Sequence, residues 1–209
     1  MTTDFTISGI VTLFGVLLLS LSFHEAMHGY AAYWLGDMTA KEQGRLTLNP
    51  LKHVDIITTV LIPFVLILFG LPPLFIAKPV PFNPLNVKYG EYGAAILAIA
   101  GPFTNLVLAT LCALALRLPM MIPGTYVYTT LLLAVQVNIG FFVFNLIPFP
   151  PLDGSRVLYA FAPEPIQDFM RKIESYGLMA IIFFFFVLFP LLSPVVRYLN
   201  EFFFHILLG

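Results

Sequence analysis

Three ionisable side chains, His24, Glu25 and His28, fall within five consecutive positions of a long apolar run, Ile7 to Leu35. The hydrocarbon core of a bilayer is about 30 Å thick, which takes roughly 20 apolar residues to cross as a helix. Only a helix or a closed barrel satisfies its own backbone there. The run therefore reads as a spanning helix, and its ionisable groups must face the protein interior. Helical positions i and i+4 stack on one face, so both imidazoles can reach one metal ion. Glu25 is turned by about 100° from His24, close to such an ion without being its ligand. Two histidines, an open coordination position and a carboxylate base form the H-E-x-x-H arrangement of a zinc hydrolase. A single core histidine satisfied by packing would explain one of these groups, not three.

Composition agrees with a membrane setting. The chain has 209 residues, 59% hydrophobic and only 10% charged, with a mean hydropathy of +0.93. A soluble domain carries roughly 25% charged residues. The expected fold is therefore an all-α integral membrane protein with four to five transmembrane helices. A net charge of −1 gives no basis for binding nucleic acid. The lone cysteine, Cys112, excludes an intrachain disulfide and a cysteine-rich zinc site. No Lys or Arg precedes Lys41, so the start lacks the positive region of a signal peptide, and the first span is expected to be retained.

Further apolar runs cover 56–77, 92–118, 126–147 and 176–196, and the aromatic tail 197–209 is expected to lie in the interface. The polar connection after the first span contains Gly44-Arg-Leu-Thr-Leu-Asn-Pro50, whose alternation predicts a small β element near the site. It could pair with an unwound substrate segment or with residues 78–84. Neither an internal repeat nor a low-complexity linker interrupts the chain, which reads as one membrane-embedded domain, 1–209.

A catalytic zinc needs a third protein ligand. Asp153 is the best candidate: it follows a proline-rich helix end and opens a new helix, where it could equally serve as the N-cap. Asn138 and Asn145, on the fourth run, lead toward it, although Asn138 could equally be interhelical glue. His53 reads as a surface-loop histidine, with metal or substrate contact as the other possibility. Ser20 and Ser22 either line a water path or pack. Topology gives a separate test. If the proline-broken run 56–77 crosses fully, the Lys and Arg residues divide five against five between the faces. If 56–84 is a re-entrant hairpin, eight lie on the inner side (Lys41, Arg45, Lys52, Lys78, Lys88, Arg156, Arg171, Lys172) against Arg117 and Arg197 outside. The positive-inside rule favours the second, which also brings Asp153 to the depth of the histidines.

Taken together, His24-Glu-Ala-Met-His28, Gly44–Pro50, Ala77-Lys-Pro-Val-Pro81, Ala100-Gly-Pro102 with Asn105, and Phe144-Asn-Leu-Ile-Pro148 leading to Pro151-Leu-Asp153-Gly154 resemble the site-2 protease family of intramembrane zinc metalloproteases, peptidase family M50. The resemblance implies one Zn²⁺ per chain held by His24, His28 and Asp153, Glu25 as catalytic base, and Asn145 near the scissile carbonyl. It implies a membrane-spanning protein or peptide as substrate. Without a recognisable PDZ insertion or an extra leading span, the chain is similar to the compact, membrane-only branch. Compact size and absent targeting features point to a prokaryotic cell membrane, with the site near its cytoplasmic side. A membrane metal-ion transporter and a non-catalytic zinc-containing binding protein are the competing readings.

Overall fold

The computed structural model describes residues 6–53, 78 and 80–209. Helix α1 (Ile7–Trp34) starts at Thr6, whose hydroxyl accepts from the N–H of Gly9, and ends before Gly36, which has a positive φ of 103°. A short turn, α2 (Thr39–Glu42), follows. Helices α3 (Gly90–Leu116) and α4 (Tyr126–Asn145) form the next two long elements. Helices α5 (Asp153–Phe161) and α6 (Glu164–Ser175) come after the Pro148–Pro151 break. A last helix is composite: α7 (Leu178–Phe183), a π-helical turn over Phe184–Leu188, and α8 (Phe189–Leu208). Among the described residues α1, α3, α4 and Met179–Leu208 are long and apolar enough to cross a membrane. The last continues helically through the tail that sequence patterning set apart from 197 onward.

Polar contacts fix how the spans run. The Thr12 hydroxyl meets the Tyr126 hydroxyl at 2.6 Å, and deeper down Ser20 accepts from the Asn138 amide at 2.9 Å, so α1 and α4 are parallel. His24 meets Asn105 and, further along α1, His28 meets Leu97, so α3 runs antiparallel to both. The connection from α1 to α3 therefore leaves and rejoins one face of the bundle, and the Lys78 N–H donates to His53 O at 3.0 Å. Of the expected re-entrant hairpin, 56–77 lies outside the described residues. Helix α3 is the hub. Its buried Ala94, Ala98, Gly101, Asn105, Ala109 and Ala113 recur every three or four positions, a small-residue stripe that lets neighbouring backbones approach closely.

The β element expected over 44–50 does not form, and the described residues include no strand. Its backbone groups are spent on local turns: Arg45 N–H bonds to Ala40 O, Thr47 N–H to Arg45 O, and Asn49 N–H to the Thr47 hydroxyl. Alternating polarity marks which side chains are buried, but a strand also needs a ladder partner for its N–H and C=O groups. The tripeptide Asn-Pro-Leu occurs at 49–51 and again at 83–85, and each copy makes the same turn, with the Asn side chain accepting from the Leu N–H at 3.1 Å.

Asp37 binds the end of α1 to the second of these turns. Its carboxylate is fully buried and accepts from the Thr39 hydroxyl (2.6 Å), the Asn83 N–H (2.7 Å), the Thr39 N–H (3.1 Å) and the Asn86 amide (3.2 Å). Burial pushes this carboxyl up, but the four donated bonds more than offset it and hold the group below its ordinary value of 3.8. Asp37→Ala should cost about 3 kcal/mol at pH 7. A folded-state pKa below the unfolded one gives a contribution that is complete above about pH 4 and is lost as pH falls through the folded value. Thermal melts in detergent should therefore show a gap between wild type and variant that is constant from pH 7 to 5 and closes only below about pH 4.

Candidate metal centre

His24 and His28 lie four residues apart on α1, at 4% and 9% exposure. Asp153 is the first residue of α5, with Leu152 as the N-cap and no side-chain capping bond. The carboxylate is therefore not used as a cap. Its Oδ2 lies 3.1 Å from His24 Nε2 and 3.3 Å from His28 Nε2, and the two Nε2 atoms are 3.1 Å apart. Among the described residues this is the one group of three or more such side chains whose ligand atoms converge.

Whether that triangle suits a cation depends on where the protons are. His28 Nδ1 lies 2.8 Å from Leu97 O, which can only accept, so Nδ1 carries a proton and, in the neutral ring, Nε2 presents a lone pair. For His24 the same follows through two amides. Asn138 Nδ2 donates to Ala134 O at 2.8 Å and to the Ser20 hydroxyl at 2.9 Å, which makes its Oδ1 the acceptor for Asn105 Nδ2, also at 2.8 Å. Asn105 Nδ2 further donates to Ser20 O at 3.3 Å. Asn105 Oδ1 must then accept from His24 Nδ1, at 2.6 Å. With both rings neutral, as metal ligation requires, the two Nε2 atoms and the Asp153 carboxylate face one another as lone pairs, and among the described residues Asp153 Oδ2 is buried with no hydrogen-bond donor. Ligands at 2.0–2.1 Å in a tetrahedron lie roughly 3.3 Å apart, so the triangle has the dimensions of one face of a tetrahedral zinc site. Two imidazoles and a carboxylate are also a zinc donor set.

Space for the rings comes from α3. A Cβ on Gly101 would lie 2.4 Å from His28 Nε2 and 2.7 Å from His24 Nε2, closer than real Cβ contacts come. Glu25 accepts from the Val80 N–H through Oε2 at 3.0 Å.

The remaining sequence candidates sort clearly. Asn138 belongs to the amide chain and bridges α4 to α1 and α3, so it is both interhelical contact and support for His24. Ser20 and Ser22 are buried, the first in that chain and the second bonded to Leu18 O, rather than lining an open path. Asn145, the last residue of α4, donates to Phe141 O at 3.0 Å and makes no polar contact with the triad. His53 is not a surface histidine: it is 2% exposed, its Nε2 lies 2.7 Å from Thr47 O, and its Nδ1 has no hydrogen-bond partner among the described residues. Asn105 is the group that reading residues one at a time passes over. Its available signal is an amide inside an apolar span, four positions beyond Gly101. Asn105→Leu should weaken binding of Zn²⁺, titrated against a chromophoric chelator, by about 10- to 100-fold, the usual effect of losing a ligand's outer partner. Gly101→Ala should weaken it further, with helical circular dichroism unchanged in both variants.

Comparison with known proteins agrees with this geometry. The family model described as Peptidase family M50 matches residues 119–189. A Bacillus subtilis (strain 168) protein named "Putative zinc metalloprotease YwhC" is 36% identical over 196 residues, covering 85% of this chain and 84% of the relative. Proteins named "Putative zinc metalloprotease Rip2" match at 29% identity from Mycolicibacterium smegmatis and 27% from Mycobacterium tuberculosis (strain H37Rv), covering 79% and 80% of this chain. The chain spans 62% and 64% of the length of those two. No solved structure gives a significant match. A shared family along most of both chains, and the three converging ligand atoms, lead to one statement: this multi-pass membrane chain belongs to peptidase family M50, the site-2 protease family of metalloproteases.

Proposed function

We propose that residues 1–209 form one membrane-embedded domain that hydrolyses peptide bonds of membrane-spanning proteins or peptides, using one Zn²⁺ that His24, His28 and Asp153 would hold. The observation that carries this reading is the set of three lone-pair donors facing one another with both histidine tautomers fixed. Held there, Zn²⁺ would polarise a water molecule and the substrate carbonyl. Glu25 has one carboxylate oxygen bonded to Val80 and, among the described residues, no hydrogen bond to the other, so it can take a proton from the attacking water and hand it to the departing amine. Attack forms the C–O bond, the C–N bond breaks, and the transferred proton leaves on the new amine. Asn145 Nδ2 uses one proton on Phe141 O, and its second is assigned to the carbonyl oxygen of the substrate.

Sidedness follows from charge. Eight of the ten Lys and Arg residues belong to segments 41–52, 78–88 and 156–172, which adjoin the ends of α1 and α4 and the start of α3, whereas Arg117 follows the far end of α3 and Arg197 lies within the last span. The positive-inside rule makes the face where α1 and α4 end cytoplasmic, in a prokaryotic cell membrane. His28 lies six residues from the end of α1, about 9 Å below that face, within reach of water.

Three protein ligands among the described residues leave a tetrahedral cation an open position, which favours catalysis over a closed structural site. Purified protein should cleave a tagged single-span substrate in detergent, lose that activity to a chelator and regain it with Zn²⁺. Glu25→Gln should keep about one zinc per chain while turnover falls by about 10²- to 10⁴-fold. Retained turnover in that variant removes the assigned base. Zinc flux into liposomes without cleavage would favour the transporter.

A further inference from the structure

We propose that the backbone N–H of Val80 orients Glu25, which makes Val80, with the anchors at Lys78 and Asn83, a positioning element of the site. The inference rests on Glu25 being the catalytic base. Residues 79–81 read Pro-Val-Pro, so Val80 supplies the only backbone N–H between two residues that have none. As the residue before a proline, Val80 is also confined to extended backbone. That single N–H is spent on Glu25 Oε2, at 3.0 Å and across a sequence separation of 55 residues.

The chain is anchored on both sides of Val80. Upstream, the Arg45 guanidinium donates to Lys78 O at 2.9 Å, and the Lys78 N–H donates to His53 O at 3.0 Å. Downstream, the Asn83 N–H donates to Asp37 Oδ2 at 2.7 Å. Between the anchors the Val80 side chain is 7% exposed and packs onto α1. A Cβ on Gly29 would come within 3.0 Å of Val80 Cγ1 and 2.8 Å of Leu46 Cδ2, so Val80 approaches α1 as closely as a glycine allows, one residue past His28. The N–H is therefore held at a fixed height above the helix that carries Glu25. A glutamate has three side-chain torsions, and tying one oxygen fixes the last of them. Oε1 is then presented in one direction, and proton transfer needs that alignment as much as it needs basicity. Val80 touches neither metal nor substrate; it acts through Glu25.

Two measurements test this. Protein labelled with carbonyl-¹³C proline and ¹⁵N valine gives carbonyl–amide cross-peaks only from Pro-Val pairs, which occur at Pro79–Val80 and Pro194–Val195. In the full chain in detergent, Glu25→Ala should shift the Val80 peak and speed its solvent exchange about tenfold or more. Glu25→Gln keeps an acceptor oxygen and should leave that peak close to wild type. Val195 should not move in either variant. A Val80 peak unchanged by Glu25→Ala overturns the proposal. Second, replacing Val80 by its α-hydroxy acid removes the N–H and keeps the side chain. It should lower kcat about 10- to 100-fold with KM and bound zinc unchanged. Wild-type kcat in that ester overturns the proposal even where the amide contact is seen. A wild-type protein that binds zinc and cleaves nothing defeats the peptidase reading instead, and the labelled amide still reports whether the contact exists.

Discussion

Everything around the metal centre depends on two backbone carbonyls, Leu97 O and Ala134 O. Each can only accept, and each starts a chain of hydrogen bonds with one consistent direction. The first fixes His28 directly; the second fixes Asn138, then Asn105, then His24. The result is that both rings offer Nε2 lone pairs to the same point. In lipid such a network is demanding, because any member left unpaired keeps its full desolvation cost with no water nearby. The chain meets this by drawing members from each of α1, α3 and α4, so the polar network and the packing of the three helices are the same contacts. The small residues on α3 are what bring those members within 3 Å.

The same logic explains what could be read from the sequence. The convergence of His24, His28 and Asp153 was legible because ionisable groups in an apolar run have few explanations and because topology and charge placed one carboxylate at their depth. The antiparallel course of α3 was legible from the uneven division of Lys and Arg. Asn105 was not, because a lone amide in a span has many roles and its partners sit 33 and 81 positions away. Val80 was hidden more deeply: it acts through a backbone N–H, which every residue but proline has. The 44–50 segment misled because alternating polarity reports burial, while pairing depends on a partner strand. His53 misled for the opposite reason. A polar surrounding sequence suggested exposure, whereas the histidine is folded under its own loop by its bond to Thr47 O.

The irregular segments are as constrained as the helices. The two Asn-Pro-Leu turns, Asp37, and the Arg45–Lys78–His53 cluster tie residues 37–53 to residues 78–88 at several points, all on the face of the bundle nearest the histidines. Non-helical backbone at this depth is tolerable only when it is covered and its polar groups are matched. Here side-chain carboxylate, amide and guanidinium groups supply what a sheet would otherwise provide.

Directionality also bears on the choice between hydrolysis and transport. A proton or cation crossing the bundle would need successive groups able to accept and release it. Toward the Val80 segment the centre has Glu25, a carboxylate with one oxygen that makes no hydrogen bond among the described residues. On its outer side it has Asn105, Asn138 and Ser20, all closely buried. Amides do not titrate, and this chain ends on the carbonyls of Ser20 and Ala134, which are already part of helix α1 and helix α4. Among the described residues bonded around the centre, the group able to take up a proton besides the three candidate ligands is thus Glu25. A carboxylate on one side and amides on the other suit the local proton transfer proposed for Glu25, and suit poorly the carrying of an ion from one face of the membrane to the other.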